Sequence, residues 1–359
     1  MGNLDESTLR LLSTLAKYPK GSIRQLSRKL NVSPAILKER IRKLYEDKVL
    51  YGVSATIDPY SVGLKIVAVF VQVSPSKLEL FERVCDLHPY THYRVRCFGP
   101  INGIFSIFTV PSEKEYMLVE LLQQLESEGI VEGSRVEIPV TTSVGGETDF
   151  SLYDPEHGWR INWSEWSKKI EEAEPLEFKT PKDMLSALDE SDMRILHELS
   201  KDVRRKRSLI ASAAGVRPYH LSRRWKFMET AGIIQAYRVL AGMHLLQITS
   251  HSILKCRCSM EETRKVANAI IKLPFQTSLI PLKEGFILYI TTTSSDFPKL
   301  VKALSKHVMV EETYWCDYGS SLRYYFYNEA FQNGKWRDDE DYMVNSIIEK
   351  LKEGALKSA

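Results

Sequence analysis

The residues best placed to do chemistry are cationic side chains at helical spacing beside a tight turn. Asn31-Val32-Ser33-Pro34 reads as a turn into a helix, with Ser33 a good N-cap and Pro34 at the first helical position, where its missing N–H costs nothing. In the helix that follows, Leu37, Ile41 and Leu44 share one apolar face, leaving Ser33, Ala35, Lys38, Glu39 and Arg42 opposite. A guanidinium such as Arg42 can pair bidentately with guanine edges in a major groove, whereas Lys38 and Lys43 suit phosphates as point charges. Arg24, Arg28 and Lys29, on the preceding helix, would add backbone contacts. Double-stranded DNA is the partner this chemistry expects.

The pattern returns at a constant offset of 184 positions. Leu4-Asp5-Glu6-Ser7 recurs as Leu188-Asp189-Glu190-Ser191, and Val32, Pro34, Leu37 and Arg40 map onto Val216, Pro218, Leu221 and Arg224 without a gap. A register kept across two helices and a turn marks an internal repeat. The matching outward positions are Arg217, Tyr219, Ser222, Arg223 and Lys226, preceded by Arg204-Arg205-Lys206-Arg207. Taken alone, that basic run is equally well a solvated face. Joined to the second turn and helix, it favours DNA. The second copy is less regular, since Arg217 replaces the serine cap and Phe227 stands where Lys43 did. One copy retained only for packing is therefore an alternative.

The elements that must position these residues follow from periodicity. Asp5 caps a helix carrying Leu9, Leu12 and Leu15, and Ser22 opens a second from Ile23 to Leu30. The third runs to about Asp47, and the alternating Val49 to Ile57 reads as a short hairpin. Helix, helix, turn, helix and wing describe a winged helix-turn-helix. Next come strand (66–73), helix (76–87), strand (91–98), strand (103–110), helix (113–127) and strand (131–140), the ferredoxin-like βαββαβ order. The fold class expected is α+β, with two winged helix-turn-helix domains each followed by a βαββαβ domain. The expected boundaries are 1–62 and 63–144 for the first pair, then 145–186 for a structured linker rich in tryptophan. The second pair falls at 187–243 and 244–328, and a helical tail at 329–359. In the linker Trp159, Trp163 and Trp166 recur at helical spacing and should pack on a domain.

Composition bounds the class. The 359 residues are 43% hydrophobic and 26% charged with a net charge of +3, ordinary for a globular protein and too mild to prove a polyanion partner. The N-terminus carries no apolar signal-like run, and the longest apolar stretches are strand-length, so a cytoplasmic location without membrane contact is expected. Five scattered cysteines read as reduced thiols, and Cys256-x-Cys258 lacks a second pair or a nearby histidine, so neither a metal nor a cofactor is expected.

The stretch from Leu26 to Leu64, with its Val-Ser-Pro turn, Arg-Ile-x-x-Leu helix and Ile57-Asp58-Pro59 exit, resembles the DNA-binding half of the Lrp/AsnC, or feast/famine, regulators. The βαββαβ units resemble that family's sensing and oligomerising domain. The resemblance implies a transcription regulator that pairs through these domains, with a small-molecule effector and a homodimer as further expectations. Two copies in one chain would let a single polypeptide mimic the family's dimer. The corresponding effector loops carry Gly99, Asn102 and Gly103, and Glu284 and Gly285, but lack part of the family's Gly-x-x-Asp pattern.

Two other readings stand beside this one. Siroheme decarboxylases resemble the same domain pair, and His92, Arg94 and Arg96 alternate along one strand where they could hold carboxylates. A polar strand face or a dimer contact explains them as well. A nucleoid protein binding DNA without sequence preference is the third. No nucleophile motif or glycine-rich phosphate loop points to an enzyme.

Overall fold

A computed structural model describes residues 4–178 and 182–358. Residues 1–3 and 359 of the expected first and last segments, and 179–181 of the expected linker, lie outside the described residues. The chain opens with α1 (Glu6–Lys17), α2 (Ile23–Leu30), α3 (Pro34–Glu46) and β1 (Leu50–Ile57). Then follow β2 (Leu64–Gln72), α4 (Leu78–Leu87), β3 (Thr91–Phe98), β4 (Gly103–Pro111), α5 (Glu115–Ser127) and β5 (Gly133–Glu137). A connecting region holds β6 (Tyr153–Asp154), β7 (Gly158–Trp159) and α6 (Trp163–Glu171). The same order then recurs as α7 (Glu190–Lys201), α8 (Arg207–Ala213), α9 (Pro218–Thr230) and β8 (Ile234–Ala241). It continues with β9 (Ser250–Arg257), α10 (Met260–Ile270), β10 (Thr277–Leu282), β11 (Gly285–Thr292), α11 (Phe297–Leu304) and β12 (Met309–Arg323). A small hairpin, β13 (Phe331–Gln332) and β14 (Lys335–Trp336), precedes α12 (Ser346–Ser358). The fold class is α+β, a winged helix-turn-helix at the N-terminus joined to a large antiparallel sheet with helices.

Local signals set the helix starts. Asp5 accepts the Thr8 N–H at 2.8 Å, and Asp189 accepts the Asp192 N–H at 3.0 Å while Asp192 reaches back to the Asp189 N–H, a capping box. Asn31 ends α2 in the left-handed region, with φ 54°, as a short polar side chain permits.

The eight strands of the two βαββαβ halves form one antiparallel sheet in the order β10-β11-β9-β12-β3-β4-β2-β5. Each half keeps its own order, and β12 joins them by pairing with β3, Trp315 opposite Phe98. The free ends of the sheet are laced together by the 140–144 stretch, where Val140 and Val144 donate to Pro281 and Leu279 of β10. Curling brings the inner faces together around Phe70, Phe105, Ile253, Ile287 and Tyr314, with the Phe70 and Tyr314 rings stacked at 4.7 Å.

Helices cover the outside, and each half gains a third. On the second half, α6 packs against α10 and α11; on the first, α12 packs against α4. Trp159, Trp163 and Trp166 are all buried, their indole N–H groups donating to Leu246 O, Asp296 Oδ1 and Ala269 O. Trp159 lies on β7 rather than on the helix expected to hold all three, because Gly158 turns the chain just before it at φ 72°.

The segment 49–57 is not a hairpin. It is the single strand β1, and its partner is β8, about as far away in sequence as the repeat itself, with Val53 opposite Val239 and Ala55 opposite Tyr237. Nine residues without a turn sequence cannot fold back on themselves and also bury Val53 and Ala55. The second copy's strand supplies the missing ladder instead.

Candidate nucleic-acid interface

In the first helix-turn-helix, α3 presents its outer face as the spacing requires. Leu37 and Leu44 are buried and Ile41 packs against the core, while Ser33, Ala35, Lys38, Glu39, Arg42 and Lys43 are all exposed. The Ser33 hydroxyl accepts the Ile36 N–H at 3.2 Å, fixing the helix start beside the turn. Arg24, Arg28 and Lys29 stand exposed on α2, the Lys29 ammonium lying 3.9 Å from the Tyr18 ring centroid. Sequence reasoning passed over Ile36, which is half-exposed on the same turn of α3 and suits a thymine methyl. Its signal was an apolar residue out of phase with Leu37 and Leu44.

Arg42 is engaged within its own helix. Its guanidinium donates to both Glu39 oxygens, at 2.9 and 2.5 Å, and also to Glu46. These pairs are exposed, hold the Glu39 carboxyl below its usual range, and are weak in water, so the cation can exchange them for a base edge.

The second helix-turn-helix differs. Arg217, Tyr219, Arg223 and Lys226 remain exposed on α9, yet Arg217 makes no side-chain cap and Ser222 is half-buried, accepting from the Arg207 guanidinium. The basic run expected to meet DNA turns half inward: Arg204 and Arg205 are half-buried and tied to protein groups. Arg204 donates to Pro19 O at 3.0 Å and Gly21 O at 3.3 Å, and burial pulls its pKa below the ordinary value. Arg205 is paired with Glu198, and Arg207 lies over the Trp225 ring. Lys206 and Arg207 are the two of the four that stay exposed. The physical reason is docking between the units. Asp202 accepts from Tyr45 Oη and from the Val53 N–H, and Lys20 pairs with Glu229, so the 201–207 segment is the seam between them.

Four of the five loop residues expected around an effector have structural duties. A Cβ on Gly103 would lie 2.1 Å from Val71 O, and one on Gly285 (φ 106°) 2.0 Å from Cys256 O, so the equivalent strand starts in both halves admit only glycine. Gly99 lies against the Thr313 carbonyl of β12, and Asn102 Oδ1 accepts the Gly99 N–H at 3.3 Å. Glu284 is exposed in the tight β10–β11 turn.

His92, Arg94 and Arg96 do not share a face. The β3–β4 register slips between Thr91 and Tyr93, and the bulge sends His92 into a cavity while Arg94 and Arg96 pair with Glu82 of α4 on the other side. The five cysteines are free thiols. No helix among the described residues is long and apolar enough to cross a membrane.

Residues 4–50 match the family model for winged helix-turn-helix DNA-binding domains. An uncharacterized HTH-type transcriptional regulator of Pyrococcus furiosus is 32% identical over 147 residues, 39% of this chain and 93% of the relative. The chain belongs to the HTH-type transcriptional regulators. A second member, the regulator Ptr1 of Methanocaldococcus jannaschii, is 28% identical over 127 residues, 33% of this chain and 86% of its own. The two relatives thus align with 33% and 39% of this regulator. Over its whole length the fold is similar to that of the siroheme decarboxylase NirDL, at TM-score 0.60 and 12% identity, covering 97% of this chain and 100% of that one. At that identity the likeness concerns the fold. An AsnC family transcriptional regulator from Agrobacterium tumefaciens aligns over 38% of this chain at TM-score 0.34 and 20% identity, too low to carry an argument.

Proposed function

We propose that this regulator is a sequence-specific DNA-binding protein of Lrp/AsnC type, built by tandem duplication so that one chain forms an internal pseudo-dimer. The observation that carries the reading is the outer face of α3: a serine-capped helix with Ala35, Lys38, Arg42 and Lys43 outward, inside the segment matched as DNA-binding. In such a motif the start of the second helix enters the major groove. The constant offset between the copies, the β1–β8 ladder and the β12–β3 junction support the pseudo-dimer. The first unit reads bases, and Arg217, Arg223 and Lys226 of the second add phosphate contacts. The protein acts in the cytoplasm, where the DNA is, as a binding protein rather than an enzyme, with association into a homodimer as a further level.

The decarboxylase reading has one observation in its favour, the cavity that receives His92. Its volume of about 130 Å³ is below the roughly 300–1,000 Å³ of pockets for drug-sized ligands, so a tetrapyrrole would have to force the walls apart.

The test is a titration of the full chain against selected and random duplexes at two salt concentrations. Selective binding that weakens with salt is expected. Equal affinity for all sequences would make it a nucleoid protein. No binding at low salt would overturn the regulator reading.

A further inference from the structure

The cavity that takes His92 lies where the wing ladder, the curled sheet and the chain leaving β12 meet. Ile57 of β1, Arg238 of β8, Ile66 and Ile107 of the sheet, and Arg323 at the end of β12 all line it. Its charge is unbalanced. Arg238 Nε sits 2.9 Å from both Glu147 oxygens, so those two groups neutralise each other. Among the described residues Arg323 makes no ion pair: the residue is half-buried, and its Nη1 is buried and makes no hydrogen bond. Its nearest charges are Arg238, which repels it, and the already committed Glu147. His92 adds no charge, because burial and the two guanidiniums push its pKa down to about 3, leaving a neutral ring that can donate one hydrogen bond and accept another. A guanidinium nitrogen buried without a partner is costly, and a fold that keeps one at a cavity wall invites an acceptor, best an anion.

We propose that this cavity is a binding site for a small organic monocarboxylate, its carboxylate on Arg323 and its short apolar tail among Ile57, Ile66 and Ile107. One uncompensated positive charge matches one carboxylate, and a second negative charge would find no partner. The size agrees: a cavity of about 130 Å³ is small beside the roughly 300–1,000 Å³ of pockets for drug-sized ligands, and suits a short-chain acid. The site stands apart from the loops around Gly99 and Glu284 and touches both wing strands, β1 and β8, the ladder that ties the two helix-turn-helix units together. Occupancy would stiffen that ladder. As an effector site this deepens the regulator reading and rests on it, but binding itself does not.

The probe is pentanoate, with pentanamide as the uncharged analogue and succinate as the dianion, titrated calorimetrically into the full chain without DNA. Saturable pentanoate binding is expected, with pentanamide and succinate each at least about tenfold weaker, as loss of a charge-assisted pair implies. Arg323→Gln should abolish the preference for pentanoate over pentanamide, and Arg323→Lys should retain part of it. No pentanoate binding, equal binding of pentanamide, or an Arg323→Gln variant that binds as well as the parent would overturn the site. The pentanoate–pentanamide contrast in the parent protein decides the matter even if a variant fails to fold. A DNA titration with and without pentanoate then separates the two readings. Loss of DNA binding altogether sinks the regulator while leaving the site, and absence of ligand binding does the reverse.

Discussion

The two helix-turn-helix units share a pattern but spend their cations differently. In the first, Arg24, Arg28, Lys29, Lys38 and Lys43 stand outward and no carboxylate of the second unit claims them. In the second, Arg204 caps the Pro19 and Gly21 carbonyls of its neighbour, Arg205 is held by Glu198, and Arg224 is held by the fully buried Asp192. The counterpart of Asp192 in the first unit is Thr8, which leaves Arg40 exposed. The two motifs thus differ by where their charges find partners. One leaves most of its charges outward, and the other spends several on pairs within itself and Arg204 on its neighbour.

Acid should reveal the common platform before it distinguishes the units. Burial depresses His88 and His92 to about 3 and His251 to about 4, whereas an unfolded chain protonates near the ordinary 6.5. The unfolded state binds more protons throughout that window, so stability is complete above pH 6.5 and falls toward pH 3. Denaturant melts at pH 7 and 4.5 measure it, and no change between them would contradict buried neutral histidines. Arg204→Ala should come next, costing about 2–4 kcal/mol of stability for two charge-assisted bonds across the seam, with DNA selectivity intact in the folded fraction. If selectivity were lost while stability held, Arg204 would be a DNA contact and the contrast between units would fail.

Arg42→Ala should cost about 1–3 kcal/mol on selected duplexes and less on random ones, as base readout requires. An equal loss on both would reduce Arg42 to a phosphate contact. Glu39→Gln should work in the opposite direction, releasing Arg42 and strengthening binding by up to about 1 kcal/mol at low salt, the range of an exposed ion pair. The smallest effect should follow Lys226→Ala. It should lower the slope of log affinity against log salt by about one or less without altering selectivity, and a selectivity change would promote the second unit to a reader.

Much of this was legible in the chain itself. Caps, turns and apolar periodicity are local, so Asp5, Ser22, Ser33 and Pro34 announce their helices, and the βαββαβ order could be read twice. The face of α3 follows from the same periodicity. Apart from Trp159 and Ile36, the misses were partnerships. Alternation in 49–57 showed a strand but not that its ladder lies on β8; three alternating residues showed a face, but a one-residue bulge at His92 reversed it. Nor can a run of four basic residues tell which of them meet carbonyls 180 or more positions away.

The sequence alone therefore determined the elements, the α+β class and the outward face of α3, because hydrogen-bonded caps and 3.6- or 2-residue periods act over a few residues. The tertiary structure decided which strand completes which sheet, which arginines are free, and that Arg323 is left facing a cavity. Those outcomes depend on distant groups competing for the same charges and hydrogen bonds, and that competition is settled only when the chain has closed on itself.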